Sequence, residues 1–271
     1  MTLAVQFPMS GPEMVLNPYF TALLPAMSEA AVGLGYAFAL VPPSRDTSRL
    51  IQTLVLQRRI DGAILLDPRR GDRFPKALAK AGIPMVSLGR LPDVPGHPRI
   101  DQNFEAAIGG IFAHLTEAGY ARFAFLTIPD DLSSIVDIRK AFEQLASDKL
   151  VAVADDFSDV AAARAAHGLL RRRPRPDAII CLTERQAIGT YRAAAELSFS
   201  IPADLGVVSL GESSISRGMT PPATSLSVFP EEAGRSLVTV IAALLEGEGV
   251  PEVTLVPTGL LVRESTHRHK K

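Results

Sequence analysis

Leu3-Ala4-Val5-Gln6-Phe7, Asn17-Pro18-Tyr19-Phe20 and Phe38-Ala39-Leu40-Val41 set out a strand, the start of a helix and a second strand within the first 41 residues. The outer two are apolar runs of strand length. Between them, Asn17 reads as an N-cap with Pro18 in the first helical position, and Phe20, Leu23, Leu24, Met27 and Ala31 follow on one face. Pro25 is expected to kink this helix. Strand, helix, strand implies a parallel sheet.

The alternation continues. Strands are predicted over 63–66 and 85–88, and helices over 48–58, 74–81 and 104–118, the last closing on Gly119. It restarts after Ile100-Asp101, with strands at 123–127, 151–154, 178–182 and 207–210 and helices at 134–145, 160–171 and 185–197. Ile201-Pro202-Ala203-Asp204 reads as a turn. Val86-Ser87-Leu88-Gly89 follows Ile83-Pro84, and Val208-Ser209-Leu210-Gly211 follows Ile201-Pro202, so the same four residues end one strand in each half. The remainder, a strand near 226–228, a helix over 231–245 and two short strands, is too little for a third domain and must complete existing sheets. The fold class is therefore α/β, with two doubly wound lobes: residues 1–100 with 229–256, and 102–226 with 258–265. A chain that passes from one lobe to the other and back suits a hinged clamp over a cleft lined by strand ends.

Composition removes several classes. With 271 residues, 47% of them hydrophobic and 21% charged, the chain is globular. Its 28 Lys and Arg against 29 Asp and Glu leave a net charge of -1, which argues against a surface that neutralises many phosphates. The single cysteine, Cys181, allows no internal disulfide and suits a reducing, cytoplasmic compartment. The N-terminus lacks a secretion signal, and Ser, Glu, Arg, Pro or Gly interrupts every apolar segment, so no membrane span is expected.

Enzyme signatures fail on inspection. Gly33-Leu34-Gly35 lacks a third glycine and follows a helix, so it reads as a helix terminus. Gly211-Glu212-Ser213-Ser214-Ile215 lacks the second glycine of a nucleophile elbow, and no histidine is placed to serve Ser213, so it reads as a loop turn. His97, His114, His167, His267 and His269 form no metal-ligand spacing, and no metal or cofactor is expected. The tail Arg268-His269-Lys270-Lys271 reads as a disordered end. Arg171-Arg172-Arg173-Pro174-Arg175, the strongest charge run, sits where a helix ends and reads as a solvated terminus. Tyr19 and Phe20 stand in the first turn after the first strand, where aromatic contact with a ligand competes with a core role for Phe20.

These residues resemble the effector-binding region of the lac repressor (LacI and GalR) family of bacterial transcription regulators, over nearly the whole chain. The resemblance runs in order through Asn17-Pro18-Tyr19-Phe20, Arg59-Ile60-Asp61-Gly62-Ala63-Ile64-Leu65-Leu66, Gly82-Ile83-Pro84 with Gly89-Arg90, and His114-Leu115 to Phe125. It continues through Arg175-Pro176-Asp177-Ala178-Ile179, Ile201 to Val208, Thr220-Pro221-Pro222-Ala223-Thr224-Ser225, Glu231-Glu232-Ala233-Gly234 and Val262-Arg263-Glu264-Ser265-Thr266. It implies a periplasmic-binding-protein-like fold with three crossing segments, a small-molecule effector, a homodimer, and operator DNA contacted only through a helix-turn-helix headpiece that this chain is expected to lack.

Carried over by position, Tyr19 and Phe20 match an aromatic pair that can contact effector, Ser134 a polar contact, and Phe157 an aromatic that can stack on the ligand. The family's effector-clamping arginine falls on Ile138, with Arg139 one position off. The acid at the end of the last second-lobe strand falls on Gly211, with Glu212 beside it, and an acid of the first lobe falls on Gly89. Thr183 replaces a common asparagine and Val228 a common glutamine. With that polar clamp largely missing, the expectation is an effector less polar, or differently charged, than the family's simple sugars. A transport-associated solute-binding protein of the same fold is the alternative, and a signal peptide upstream would mark it.

Overall fold

The computed structural model describes residues 1–9, 17–41, 47–91, 93–129 and 132–268. It divides into two compact units: Met1–Gln102, Asp131–Ser134 and Phe229–Pro257 form the first, and Asn103–Asp130, Ile135–Val228 and Thr258–Lys271 the second. Residues 132–134, expected in the second lobe, therefore group with the first.

The first unit is built on β1 (Thr2–Gln6), β2 (Ala37–Val41), β3 (Gly62–Leu66), β4 (Met85–Leu88), β5 (Arg99–Gln102) and β11 (Val253–Val256), in the order β11-β5-β4-β3-β1-β2, all parallel. Strand β3 is buried throughout, as a continuous apolar run in a sheet covered on both faces should be. Helix α1 (Pro18–Gly33) runs on through Pro25, and α8 (Pro230–Leu245) packs against it so closely that a Cβ on Gly234 would lie 2.7 Å from the Leu23 carbonyl. Helix α2 (Arg73–Ala81) contributes Phe74 and Leu78 to a core that includes Ala4, Ala63 and Leu65. The helix expected over 48–58 is a short α-helix, Thr47–Leu50, continued by a π-helix, Ile51–Leu56.

The second unit repeats the plan with β6 (Phe123–Thr127), β7 (Leu150–Val153), β8 (Ala178–Cys181), β9 (Gly206–Ser209), β10 (Thr224–Ser227) and β12 (Gly259–Leu261), in the order β12-β10-β9-β8-β6-β7. Only β12 is antiparallel. The two orders correspond strand for strand, so the Val-Ser-Leu-Gly quartets of β4 and β9 occupy equivalent places. Helices α3 (Phe104–Glu117) and α4 (Ser133–Leu145) bring Phe112 and Phe142 together with ring centroids 5.5 Å apart, and Phe142 packs on Phe125 of β6. Helices α5 (Asp159–Leu170) and α6 (Glu184–Glu196) pack on each other through alanine and glycine.

Three local expectations need correction. Strand β5 was not anticipated, because Arg99-Ile100-Asp101-Gln102 has one apolar residue in four; it is a strand because β4 and β11 pair with it on both sides. The loop turn after Gly211 holds a short helix, α7 (Ser214–Gly218), capped by Ser213. The chain end is held as far as Arg268, whose guanidinium donates to the Gly119 and Ala203 carbonyls and lies over the Tyr120 ring; His269 to Lys271 fall outside the described residues.

Candidate functional site

In sheets of this order the strand sequence reverses between β1 and β3 and between β6 and β8, and ligands are held beyond the carboxyl ends of such strands. The first unit's edge begins at α1, where the Asn17 carboxamide oxygen accepts from the Tyr19 amide at 3.0 Å and Pro18 opens the helix. Phe20 is 4% exposed and packs edge-on against both Phe7 and Tyr19, so it belongs to the core. Tyr19 is half-buried, and its hydroxyl accepts from Gln102 Nε2 at 3.5 Å. Burial lifts that hydroxyl well above its usual pKa; the Gln102 bond opposes this, and the Asp67 and Glu231 charges add to it. Tyr19 is thus a neutral hydroxyl with its own proton to donate.

Asp67 follows β3 in the left-handed region at φ 45, and its amide donates to the Leu88 carbonyl. Its Oδ1 accepts from Ser133 Oγ at 3.0 Å and from the Ser134 amide at 2.9 Å, and Ser134 Oγ donates to Oδ2. A bulkier residue than Gly89 has no room beside this group: φ there is +80, and a Cβ would lie 2.6 Å from Ser133 Oγ.

Ser87 and His97 form a buried hydrogen-bond chain. Ser87 Oγ lies 2.6 Å from the Gly89 carbonyl and 2.7 Å from His97 Nε2, and His97 Nδ1 lies 2.6 Å from the Val94 carbonyl. Three contacts need three hydrogens, whereas a neutral imidazole and one hydroxyl bring two. Burial nevertheless lowers the His97 pKa, with Arg99 acting in the same direction against the Val94 carbonyl and Glu252. A depressed histidine binds fewer protons folded than unfolded, so its contribution to stability is present above the ordinary value of 6.5 and is lost as the pH falls through the folded value. The thermal midpoint should therefore drop more steeply in the wild type than in His97→Gln between about pH 7 and pH 5, and equal slopes would contradict this.

The second unit's edge is richer in charge. Thr183 caps α6, accepting from the Gln186 amide at 3.2 Å in a capping box. Glu184, next along, is 4% exposed; its Oε1 accepts from Ser213 Oγ at 2.6 Å and from the Ser216 amide at 3.2 Å. Glu212 accepts both Arg263 terminal nitrogens at 2.9 Å, Arg217 Nη1 at 2.6 Å, Ser216 Oγ at 2.9 Å and Ser225 Oγ. Burial alone would raise its pKa, but the bonds from Arg263, Ser225 and Ser216 and the Arg263 charge outweigh it and hold the carboxyl below the usual glutamate range.

Residues 112–266 match the family of periplasmic binding protein-like domains. The chain is 33% identical over 103 residues to the lactose operon repressor of Rhizobium radiobacter, covering 38% of this chain and 91% of that protein. It is 26% identical over 275 residues to the HTH-type transcriptional regulator CelR of Thermobifida fusca, covering 97% of this chain and 81% of that one. The chain belongs to the lac repressor family of transcriptional regulators. A solved complex of the regulator CelR with cellobiose superposes with a TM-score of 0.86 at 26% identity, covering 97% of this chain and 84% of that structure. These relatives are regulators rather than enzymes. Among the described residues no helix is long and apolar enough to cross a membrane, and no three His, Cys, Asp or Glu side chains group to hold a metal ion.

In this regulator the positions carried over from the family separate clearly. Tyr19, Thr183, Gly211 and Glu212 lie at carboxyl edges of their own sheets; half-buried Phe157 follows β7, and half-buried Val228 follows β10 just before Phe229, itself left-handed at φ 45. Ser134 is engaged by Asp67. Ile138 does not reach an edge: it is 4% exposed in the core with Ile135 and Phe142. Arg139 is half exposed and pairs with Glu143 on its own helix at 2.8 Å, and Glu212 is engaged by Arg263 through both carboxylate oxygens. Sequence reading missed Asp67, Gln102, Glu184 and Arg263. Asp67 had one signal, an acid directly after a strand and before Pro68.

Proposed function

We propose that this chain is the sensor of a repressor, holding a neutral sugar at the strand carboxyl edges described above. The observation that carries the reading is the likeness, over 97% of the chain, to a regulator solved with cellobiose. Each unit's edge has suitable chemistry of its own: an aromatic ring with a neutral hydroxyl at Tyr19 in the first, and a partly exposed ring at Phe157 in the second. Sugar hydroxyls donate and accept, and rings pack on their apolar faces. Sugar binding shifts the protein between two arrangements by its differential affinity for them, and operator DNA responds through a helix-turn-helix unit outside these residues. The regulator acts as a cytoplasmic homodimer and catalyses no reaction. The relatives described above are regulators, which favours this over a transport-associated solute binder.

Calorimetric titration with cellobiose, maltose, lactose, glucose and ribose tests the reading. At least one should bind with a Kd of roughly 10 μM, about 7 kcal/mol. No heat from any of them up to about 10 mM, a free energy below roughly 3 kcal/mol, would overturn it.

A further inference from the structure

Two basic stretches far apart in the sequence, Arg171-Arg172-Arg173-Pro174-Arg175 and the tail that opens with Arg268, meet at the amino edge of the second sheet. Arg268 is anchored there by the Gly119 and Ala203 carbonyls, and its Nη1 lies 4.0 Å from an oxygen of Asp177, the residue just before β8. We propose that this edge, centred on Arg171–Arg175, is a docking surface for a short acidic segment of a partner protein, held through its carboxylates.

The helix that precedes the run explains little of it. Helix α5 ends at Leu170 with Arg171 as its C-cap, and the attraction of a helix terminus for cations fades within the last turn. Arg172, Arg173 and Arg175 lie beyond that turn. They are not neutralised either, for none of the four arginines pairs with an acid among the described residues. The neighbouring acids are committed: Glu196 to Arg192 and His167, Asp148 to Arg122, and Asp177 to the Ala121 and Arg122 amides. Arg171, Arg172 and Arg173 are exposed, so their charge faces water. Arg175 is fixed at one side of the group, its guanidinium 4.1 Å from the centroid of the Phe199 ring beneath it.

The rest of the chain selects the partner. Of 28 Lys and Arg, these four arginines leave 24 against 29 Asp and Glu, so the remainder carries a net charge of -5. A long nucleic acid has phosphates on both sides of any contact and would meet that negative remainder. A short peptide would not, since five residues reach at most about 17 Å. Guanidinium forks also match Asp and Glu side chains well, because two parallel N–H groups can donate to one carboxylate. The surface lies opposite the carboxyl edge, and its charge is the same with or without effector.

Fluorescence anisotropy of a labelled peptide of about eight glutamates tests this surface. The chain should bind it with a Kd of roughly 50 μM at about 50 mM salt, and about 10-fold more weakly at about 300 mM, because exposed charges are screened. Arg172→Gln combined with Arg173→Gln should weaken binding by about 10-fold at the lower salt, with the thermal midpoint little changed because both side chains are exposed. Lys76→Gln combined with Arg164→Gln removes the same charge from residues already paired with Asp93 and Asp155, and should stay within about twofold of the wild type. Equal losses in the two double variants would mean that net charge alone attracts the peptide, and would overturn the surface. A wild-type Kd above about 1 mM at the lower salt would do the same. A duplex of about 20 base pairs bound more tightly than the peptide would overturn the partner class in favour of nucleic acid.

Discussion

Arg263→Ala should destabilise the second unit by about 3 kcal/mol, because it leaves Glu212 buried with its best partner gone. The Glu212 side chain is 10% exposed and that of Arg263 18%, and the guanidinium also donates to the Ala223 carbonyl and to Ser225, tying the segment after β12 to β10. Removing one partner of an enclosed bidentate pair leaves an uncompensated charge as well as unmade bonds. Arg217 contacts the same carboxylate at 2.6 Å, but its side chain is 57% exposed. Water can replace that contact, so Arg217→Ala should cost less than about 1 kcal/mol. Urea unfolding followed by circular dichroism compares the two variants, and equal losses would mean that enclosure does not decide the worth of this pair.

Gly189→Ala should cost more than about 3 kcal/mol, the upper range for overpacking a close contact. A Cβ there would lie 2.4 Å from the Asp159 carbonyl oxygen, 2.7 Å from Ala162 Cβ and 2.7 Å from the Ala163 amide nitrogen. These are backbone atoms or a β-carbon, so no side-chain rotation relieves the clash and α5 and α6 must part. Gly168→Ala in α5 is the matched control, because a Cβ there meets nothing within 4 Å. It should gain roughly 0.5 to 1 kcal/mol from helix propensity alone. Thermal melts of both variants check the pair, and similar midpoints would contradict the close packing of these helices.

Most of the fold was legible because many of its strands are short, largely apolar runs set between helices with recognisable caps, as at Asn17-Pro18. Even the Val-Ser-Leu-Gly quartets carried real information, since their strands occupy equivalent places in two sheets of one order. Strand β5 was illegible because pairing by two neighbours, which no local pattern reports, makes Arg99–Gln102 a strand. The candidate site was read less well, for a related reason. Position-by-position comparison registers Gly211 as a lost acid, but not that Glu184, 27 residues earlier, brings a carboxylate into the same space. Likewise Glu212 looked like a substitute until Arg263, 51 residues later, was found to engage both its oxygens. The expectation of an effector less polar, or differently charged, than the family's simple sugars gives way to the proposal of a neutral sugar.

Hydrogen–deuterium exchange with and without the tightest-binding sugar of the panel tests the central claim, that effector is held at strand carboxyl edges. Protection is expected in segments 67–69 and 89–91 of the first unit and in 127–129, 183–186 and 211–213 of the second. Protection confined to the opposite, amino edges, in 58–61 and 119–122, would contradict the account.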